Sequence, residues 1–430
     1  EVYICGNPPY QGSVKQSIEQ KEDMRRIFSK ELKTYKDLDY VSAFVLKAAE
    51  FNKISGSSSA LVTTNSITQG EQVGMLWPII FKKLNHIFFA YTSFLWSNLA
   101  IHKAAVTCVI IGLTVKKRSD IQIFSEDKVK RVELISPYLI PGTENFVIKR
   151  TKAIHDLSSM SKGNQATDGK NLLMNMDEYR NFISKYPTSQ SLIREYVGSY
   201  EFIRSTKRYC FWIDDSQLNE AQSIPELYER IEKVRKLRIE SKGKQANQNA
   251  HRPHRFVFAP HTNQKSIIIP RVFSERRKYL TVGFLRGDSQ VIADSASAIY
   301  NANLVDFAIL SSKLQLVWVD LVAGRLKSDY RYSNTLVWNT FPIPQLTKKN
   351  AADISRCAEN ILLARESHFP SSISELYDPE KMPENLIAAH SFNDEIIERI
   401  YIGRKFINNT ERREKLFKMY KSRIDSLNKI

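Results

Sequence analysis

Apolar residues in the first third of this chain fall in short unbroken runs, separated by stretches with helical spacing. Val2, Tyr3, Ile4 and Cys5 make the first run, and residues 60–64 and 86–91 make two more. Residues 104–114 hold the longest and read as a buried strand. Between the runs, residues 42–51 place Phe44, Val45, Ala48 and Ala49 on one helical face. A turn at Ser55-Gly56-Ser57-Ser58-Ser59 follows, and residues 72–84 predict a further helix. Such alternation over 1–123 is the pattern of a mainly parallel α/β sheet. Phe94-Leu95-Trp96-Ser97-Asn98 adds aromatics that fill the core or line a pocket, the core being the expected place.

Beyond residue 136 the pattern becomes irregular, with short strands, polar turns and scattered basic residues up to 344, as in an α+β module. One helix stands out at 224–241, with Pro225 suited to its first turn and Leu227, Ile231, Val234 and Leu237 on one face. Its charged face is expected to be solvated. The polar stretch 242–254, with Gln245-Ala246-Asn247-Gln248-Asn249, reads as a mobile loop. After a linker at 346–350 the rest is helical, with Ile354, Ile361 and Leu362 apolar, a break near Phe369-Pro370 and a charge-rich end at 410–430. The expected domains are 1–135, 136–345 and 346–430.

Charge narrows the class of partner. Lys and Arg number 63 against 46 Asp and Glu, a formal net charge of +17, with a pI near 9.5. That balance favours phosphate backbones through counterion release, although a basic chain can also be merely soluble. With 430 residues, 42% of them hydrophobic, the chain is long enough for two or three domains with real cores. Cys5, Cys108, Cys210 and Cys357 lie far apart, form no zinc or redox spacing, and point to a reducing cytoplasm. No signal peptide is evident, and no apolar stretch reaches the roughly 18 residues a membrane span needs. The chain starts at Glu1 and enters a strand almost at once, as a fragment of something longer would.

The sharpest chemical signal is Asn7-Pro8-Pro9-Tyr10, directly after the first apolar strand. An exocyclic amine conjugated to a ring is a poor nucleophile until hydrogen-bond acceptors draw its nitrogen toward tetrahedral geometry. Asn7 Oδ1 and the Pro8 carbonyl can be those acceptors, held in a loop that Pro8 and Pro9 stiffen. Tyr10 offers a face for stacking a base, as expected of an enzyme acting on an extruded nucleotide. The bland alternative is a proline-stiffened turn.

Further motifs follow in order: Leu38-Asp39-Tyr40-Val41, Thr63-Thr64-Asn65-Ser66-Ile67-Thr68-Gln69-Gly70-Glu71-Gln72, Ser274-Glu275-Arg276-Arg277-Lys278-Tyr279, and Gly324-Arg325-Leu326-Lys327-Ser328-Asp329-Tyr330-Arg331-Tyr332-Ser333. With Asn7-Pro8-Pro9-Tyr10 and Phe94-Leu95-Trp96-Ser97-Asn98, they resemble the C-terminal part of the MmeI-like (type IIL) single-chain restriction-modification enzymes. That resemblance implies a partial Rossmann-like methyltransferase sheet of the γ class, then an α+β DNA target recognition domain and C-terminal helices. It implies transfer of a methyl group from S-adenosylmethionine to adenine N6 in double-stranded DNA, with Asn7, Pro8 and Tyr10 holding the flipped base. In the family, a glycine-rich cofactor motif and a nuclease precede this point. Only six residues precede Asn7 here, so this segment is expected to lack most of the cofactor pocket, with Asn7 at most reaching the cofactor, and to lack the nuclease.

For DNA contacts the best stretches are 271–279 and 325–332, which interleave Arg or Lys with Tyr and Ser. Arg271, Ser274, Arg276, Arg277, Lys278, Tyr279, Arg325, Lys327 and Arg331 are the candidates, most of them for the phosphate backbone. The counter-reading for 328–332 is an internal scaffold built on an ion pair from Asp329 to Arg331 or Arg325. The turn Lys162-Gly163-Asn164 is a further groove candidate. Weaker signals are Asp120 with Glu126-Asp127-Lys128 as a compressed nuclease site, and His251, His254 and His261 as metal ligands. Flanking Arg252 and Arg255 repel a cation, and no metal is expected. Ser66 and Ser274 have no recognisable His-Asp partners. Two other readings stay open: a protein glutamine methyltransferase, and a DNA specificity module without catalysis.

Overall fold

A computed structural model describes residues 2–96, 106–125, 128–142, 144–326 and 328–427. The chain divides into two compact units. One gathers Glu1–His155, Val317–Pro342 and Ile407–Ile430, and the other Asp156–Leu316 and Ile343–Phe406.

The first unit is built on a six-stranded sheet. Its strands are β1 (Tyr3–Gly6), β2 (Ser58–Thr64), β3 (His86–Trp96), β4 (Val106–Thr114), β5 (Gln122–Ser125) and β6 (Lys128–Arg131), in the order β1-β2-β4-β3-β5-β6. The expected mainly parallel sheet is corrected here. β1–β2 and β3–β5 run parallel, but β4 is antiparallel to both its neighbours, and β6 is antiparallel to β5. An unbroken apolar run marks a buried strand without recording its direction, and β4 is buried between β2 and β3 with Cys108, Val109, Ile111 and Leu113 in the core. Helices α1 (Ile18–Phe28), α2 (Val41–Ser55) and α3 (Glu71–Lys82) accompany the sheet. Buried Asn52 ties the end of α2 to it by donating to Ser59 Oγ, Asn85 Oδ1 and the Leu113 carbonyl.

The two later segments of this unit close around aromatics. Trp318, Phe417 and Tyr420 pack edge to face and at a tilt, with Tyr138 against Phe417. The Tyr420 hydroxyl accepts from the Ile148 N–H, and Arg423 donates to the Ile154 carbonyl. Gly70 sits at φ +63 directly before α3, and a Cβ there would meet the Gly324 backbone at 3.0 Å. Glycine is thus required at Gly70 both for its conformation and for close approach.

The second unit holds two four-stranded sheets. One is ordered Gln290–Ile292, Ile193–Val197, Tyr209–Phe211, Leu173–Met174, and the other Gly283–Leu285, Ser266–Pro270, Ala296–Ile299, Met160–Lys162. The predicted helix is present as Pro225–Glu240, and Leu227, Ile231 and Val234 are buried in the core. Leu237 is instead turned partly to solvent, and Arg238 is the buried member of the next turn. Its guanidinium donates to the carbonyls of Ala166, Thr167, Asn249, Arg252 and Arg255. The stretch read as a mobile loop is therefore fastened: it forms a helix, Lys244–Gln248, and turns anchored on that one side chain. The expected linker at 346–350 is shorter, since the helix Lys348–Glu366 begins inside it, capped by Thr347. That helix and Glu384–Ile402 belong to the second unit, whereas Asn409–Leu427 belongs to the first. No described helix is long and apolar enough to cross a membrane.

Candidate active site

Strands β1, β2 and β3 end on the same side of the sheet, because β4 is antiparallel to β2 and β3. In open α/β sheets this carboxyl edge is where ligands bind. Asn7-Pro8-Pro9-Tyr10 leaves β1 there, with Pro8 buried, Asn7 and Pro9 exposed, and Tyr10 half-buried. The Tyr10 hydroxyl donates to Asn7 Oδ1 at 2.5 Å, so the acceptor that the sequence marks for an amine is capped by the neighbouring phenol. Cys108, opposite Thr64 on one side and Phe94 on the other, brings its Sγ within 3.8 Å of the Tyr10 hydroxyl. Burial pushes the Tyr10 phenol up to about 12; the Cys108 thiol adds to the rise and the Asn7 bond opposes it. Tyr10 therefore remains a hydrogen-bond donor throughout the neutral range.

The aromatics expected in the core do not lie there. Phe94 is half-buried, whereas Leu95 and Trp96 are exposed at the end of β3. Phe94 packs against Trp96 and against Tyr91, which stacks on Phe124. An aromatic strand end beside Tyr10 and Cys108 suits a planar ring. Ser97 and Asn98 lie outside the described residues, as do Glu126, Asp127 and Lys327.

The spacing of the cysteines along the chain does not disclose the Cys108 contact with Tyr10. The strand order across β2, β4 and β3 is the signal that finds it. The motif around Asp39 likewise discloses no role for that residue. The carboxylate is buried and accepts from the Gln11 N–H at 3.1 Å, one residue past Tyr10.

The basic stretch 271–279 lies in the second unit. Arg271 donates to the Asp294 carbonyl, Arg277 to Thr281 Oγ1, and Arg276 pairs with Glu380 at the surface. The Ser274 hydroxyl accepts from the Arg276 N–H. Lys278 is exposed, with no partner among the described residues. Tyr279 is buried rather than turned outward: its hydroxyl donates to Asp394 at 2.8 Å and its ring stacks on His390. Burial pushes Asp394 up to about 7, against the bonds it accepts from the Lys313 N–H and from Tyr279. The turn candidate Asn164 is also interior; it donates to the Ile292 carbonyl and Tyr300, while Gly163 lets the backbone of Ala293 approach.

In the first unit, Gly324–Leu326 pairs antiparallel with Asp329–Arg331. The scaffold reading of this segment is partly met, with a different carboxylate. Asp320, not Asp329, accepts from Arg325, from the Tyr330 hydroxyl and from Arg413. Arg325 lies over the Tyr330 ring, and Arg331 is exposed.

The histidines are spoken for. His254 pairs with Asp215, His251 bonds the Gln248 carbonyl, and His261 bonds Arg194 and the Gly287 carbonyl. Among the described residues no group of three or more His, Cys, Asp or Glu is placed to hold a metal ion.

Three family profiles match in series: "MmeI, DNA-methyltransferase domain" over residues 1–125, "MmeI, target recognition domain" over 141–345 and "MmeI, C-terminal domain" over 346–428. The chain is 41% identical over 421 residues to DNA methyltransferase A of Bacillus subtilis (strain 168), covering 98% of this chain and 48% of that protein. A solved structure of the type IIL restriction-modification enzyme MmeI in complex with DNA superposes with a TM-score of 0.91 at 36% identity, covering 98% of this chain and 57% of that one. The chain thus spans about half the length of the curated relative it matches.

Proposed function

We propose, for a chain that belongs to the MmeI family across its methyltransferase, target recognition and C-terminal domains, that it forms the base-handling and DNA-reading part of a sequence-specific DNA adenine-N6 methyltransferase. The observation that carries this reading is Asn7-Pro8-Pro9-Tyr10 in a stiff loop at the carboxyl end of β1, beside the exposed aromatic end of β3. Double-stranded DNA is the substrate, consistent with the net charge of +17.

When an adenine is extruded into this edge, Tyr10 swings from Asn7 and its ring stacks on the base. Asn7 Oδ1 and the Pro8 carbonyl then accept the two amine N–H groups, which localises the nitrogen lone pair. S-adenosylmethionine supplies the methyl group in the whole enzyme. The turns that follow β1 and β2 carry single glycines, Gly12 and Gly70, and in this proposal the glycine-rich cofactor cradle is supplied elsewhere in the whole enzyme. What the chain contributes is the amine side of the reaction. In the recognition region proposed for 136–345, the exposed Lys278 and Arg331 are cations available to phosphates.

The test uses the natural full-length protein, labelled S-adenosylmethionine and mixed-sequence duplex DNA. Asn7→Ala is expected to lower transfer to adenine N6 by about 100-fold or more, with DNA affinity within twofold of wild type. Near-normal turnover would remove Asn7 from the chemistry. Specific DNA binding with no transfer from the unsubstituted protein would leave a specificity module.

A further inference from the structure

We infer that Asp39 is a positioning residue for the amine-binding loop, a reading that rests on the function proposed for that loop. Pro8 and Pro9 have no N–H to donate. Among the described residues, the first bonded backbone N–H after them is that of Gln11, and its acceptor is Asp39 Oδ1 at 3.1 Å. The same oxygen accepts from the Val41 N–H at 3.2 Å, at the start of α2. Oδ2 lies 3.3 Å from the Thr64 hydroxyl and 3.5 Å from that of Ser66, where β2 ends; the two hydroxyls bond each other at 2.6 Å, leaving one of them to donate to the carboxylate. The Asp39 N–H donates to Gln72 Oε1 in the first turn of α3. Gln11 is gripped from its other side as well, since its carbonyl accepts from the Tyr40 N–H and from Gln16 Nε2.

One buried carboxylate therefore joins the exits of β1 and β2 to the starts of α2 and α3. Among the described residues no Lys, Arg or His forms an ion pair with it, and the bonds to its oxygens come from backbone N–H and hydroxyl groups. A buried carboxylate without a counter-charge is costly, and an amide would pack equally well. What the carboxylate adds is two acceptor oxygens with charge-assisted bonds, one of them on the residue next to Tyr10. Fixing Gln11 fixes where Tyr10 and Asn7 stand relative to the β3 edge.

Asp39→Asn tests this, because Thr64 and Ser66 can turn their hydroxyls to accept from the new amide while its oxygen faces Gln11. In the natural full-length protein kcat is expected to fall between roughly 10- and 100-fold, with DNA affinity and melting temperature unchanged. Amide hydrogen exchange at Gln11 is expected to rise about tenfold, with β4 unaffected. An unchanged kcat overturns the inference whatever exchange does. So does a parallel loss of melting temperature and DNA affinity, which would make Asp39 a general structural residue. If the unsubstituted protein transfers no methyl group, the functional reading fails, and exchange at Gln11 still decides whether Asp39 clamps the loop: unchanged exchange overturns the clamp.

Discussion

Tyr10 combines a ring that can stack with a hydroxyl that occupies the Asn7 acceptor, and the two roles separate by substitution. Tyr10→Phe keeps the ring and frees Oδ1, so methyl transfer is expected to stay within about threefold of wild type. Tyr10→Ala removes the ring and is expected to cost about 1–3 kcal/mol in single-turnover rate on duplex DNA, the range of base–aromatic stacking. Equal losses in both variants would mean that the hydroxyl carries the role. Asn7-Pro8-Pro9-Tyr10 was legible in sequence because its geometry is set by neighbours within four residues and by the rigidity of proline. Asp39 and Cys108 were not, since their partners lie 28 and 98 residues away. Tyr279 misled for the same reason. Within an Arg- and Lys-rich stretch it resembles a surface donor, but Asp394, 115 residues on, takes its hydroxyl inside.

Elements were legible where periodicity alone defines them. Residues 42–51, 72–84 and 224–241 are all helical, with ends displaced by a few residues as capping dictates. Strand direction was not legible, and two antiparallel strands, β4 inside the sheet and β6 at its edge, convert an expected parallel sheet into a mixed one. The stretch 242–254 was misread because its order comes from outside it: a polar sequence without periodicity is held by a side chain of the preceding helix. Arg238→Met is expected to destabilise the second unit by about 3–5 kcal/mol, since it strips the donor from five carbonyls. Chemical denaturation, with exchange measured across 244–256, checks this. A change below 1 kcal/mol would show that water replaces the guanidinium.

In the whole molecule, the unit that bears the candidate site is completed by segments far along the chain. Asn409–Leu427 brings Phe417 and Tyr420 against Trp318, and Arg413 to Asp320, all within the first unit. Ending the chain after Phe406 would uncover those aromatics, each worth roughly 1.5–3 kcal/mol of burial. Limited proteolysis is then expected to cut within 317–342 and 136–155 much faster than in the intact chain, while the second unit resists as before. Unaltered cleavage would show the last helix to be dispensable. The same arrangement sets a schedule for birth on the ribosome. After His155 is made, about 250 further residues must be added before Ile407 appears, a delay of at least roughly ten seconds at 5–20 residues per second. Throughout that interval the nascent chain carries Asn7-Pro8-Pro9-Tyr10 on a first unit that still lacks Phe417 and Tyr420, so the aromatic cluster around Trp318 closes only once Asn409–Leu427 has been made.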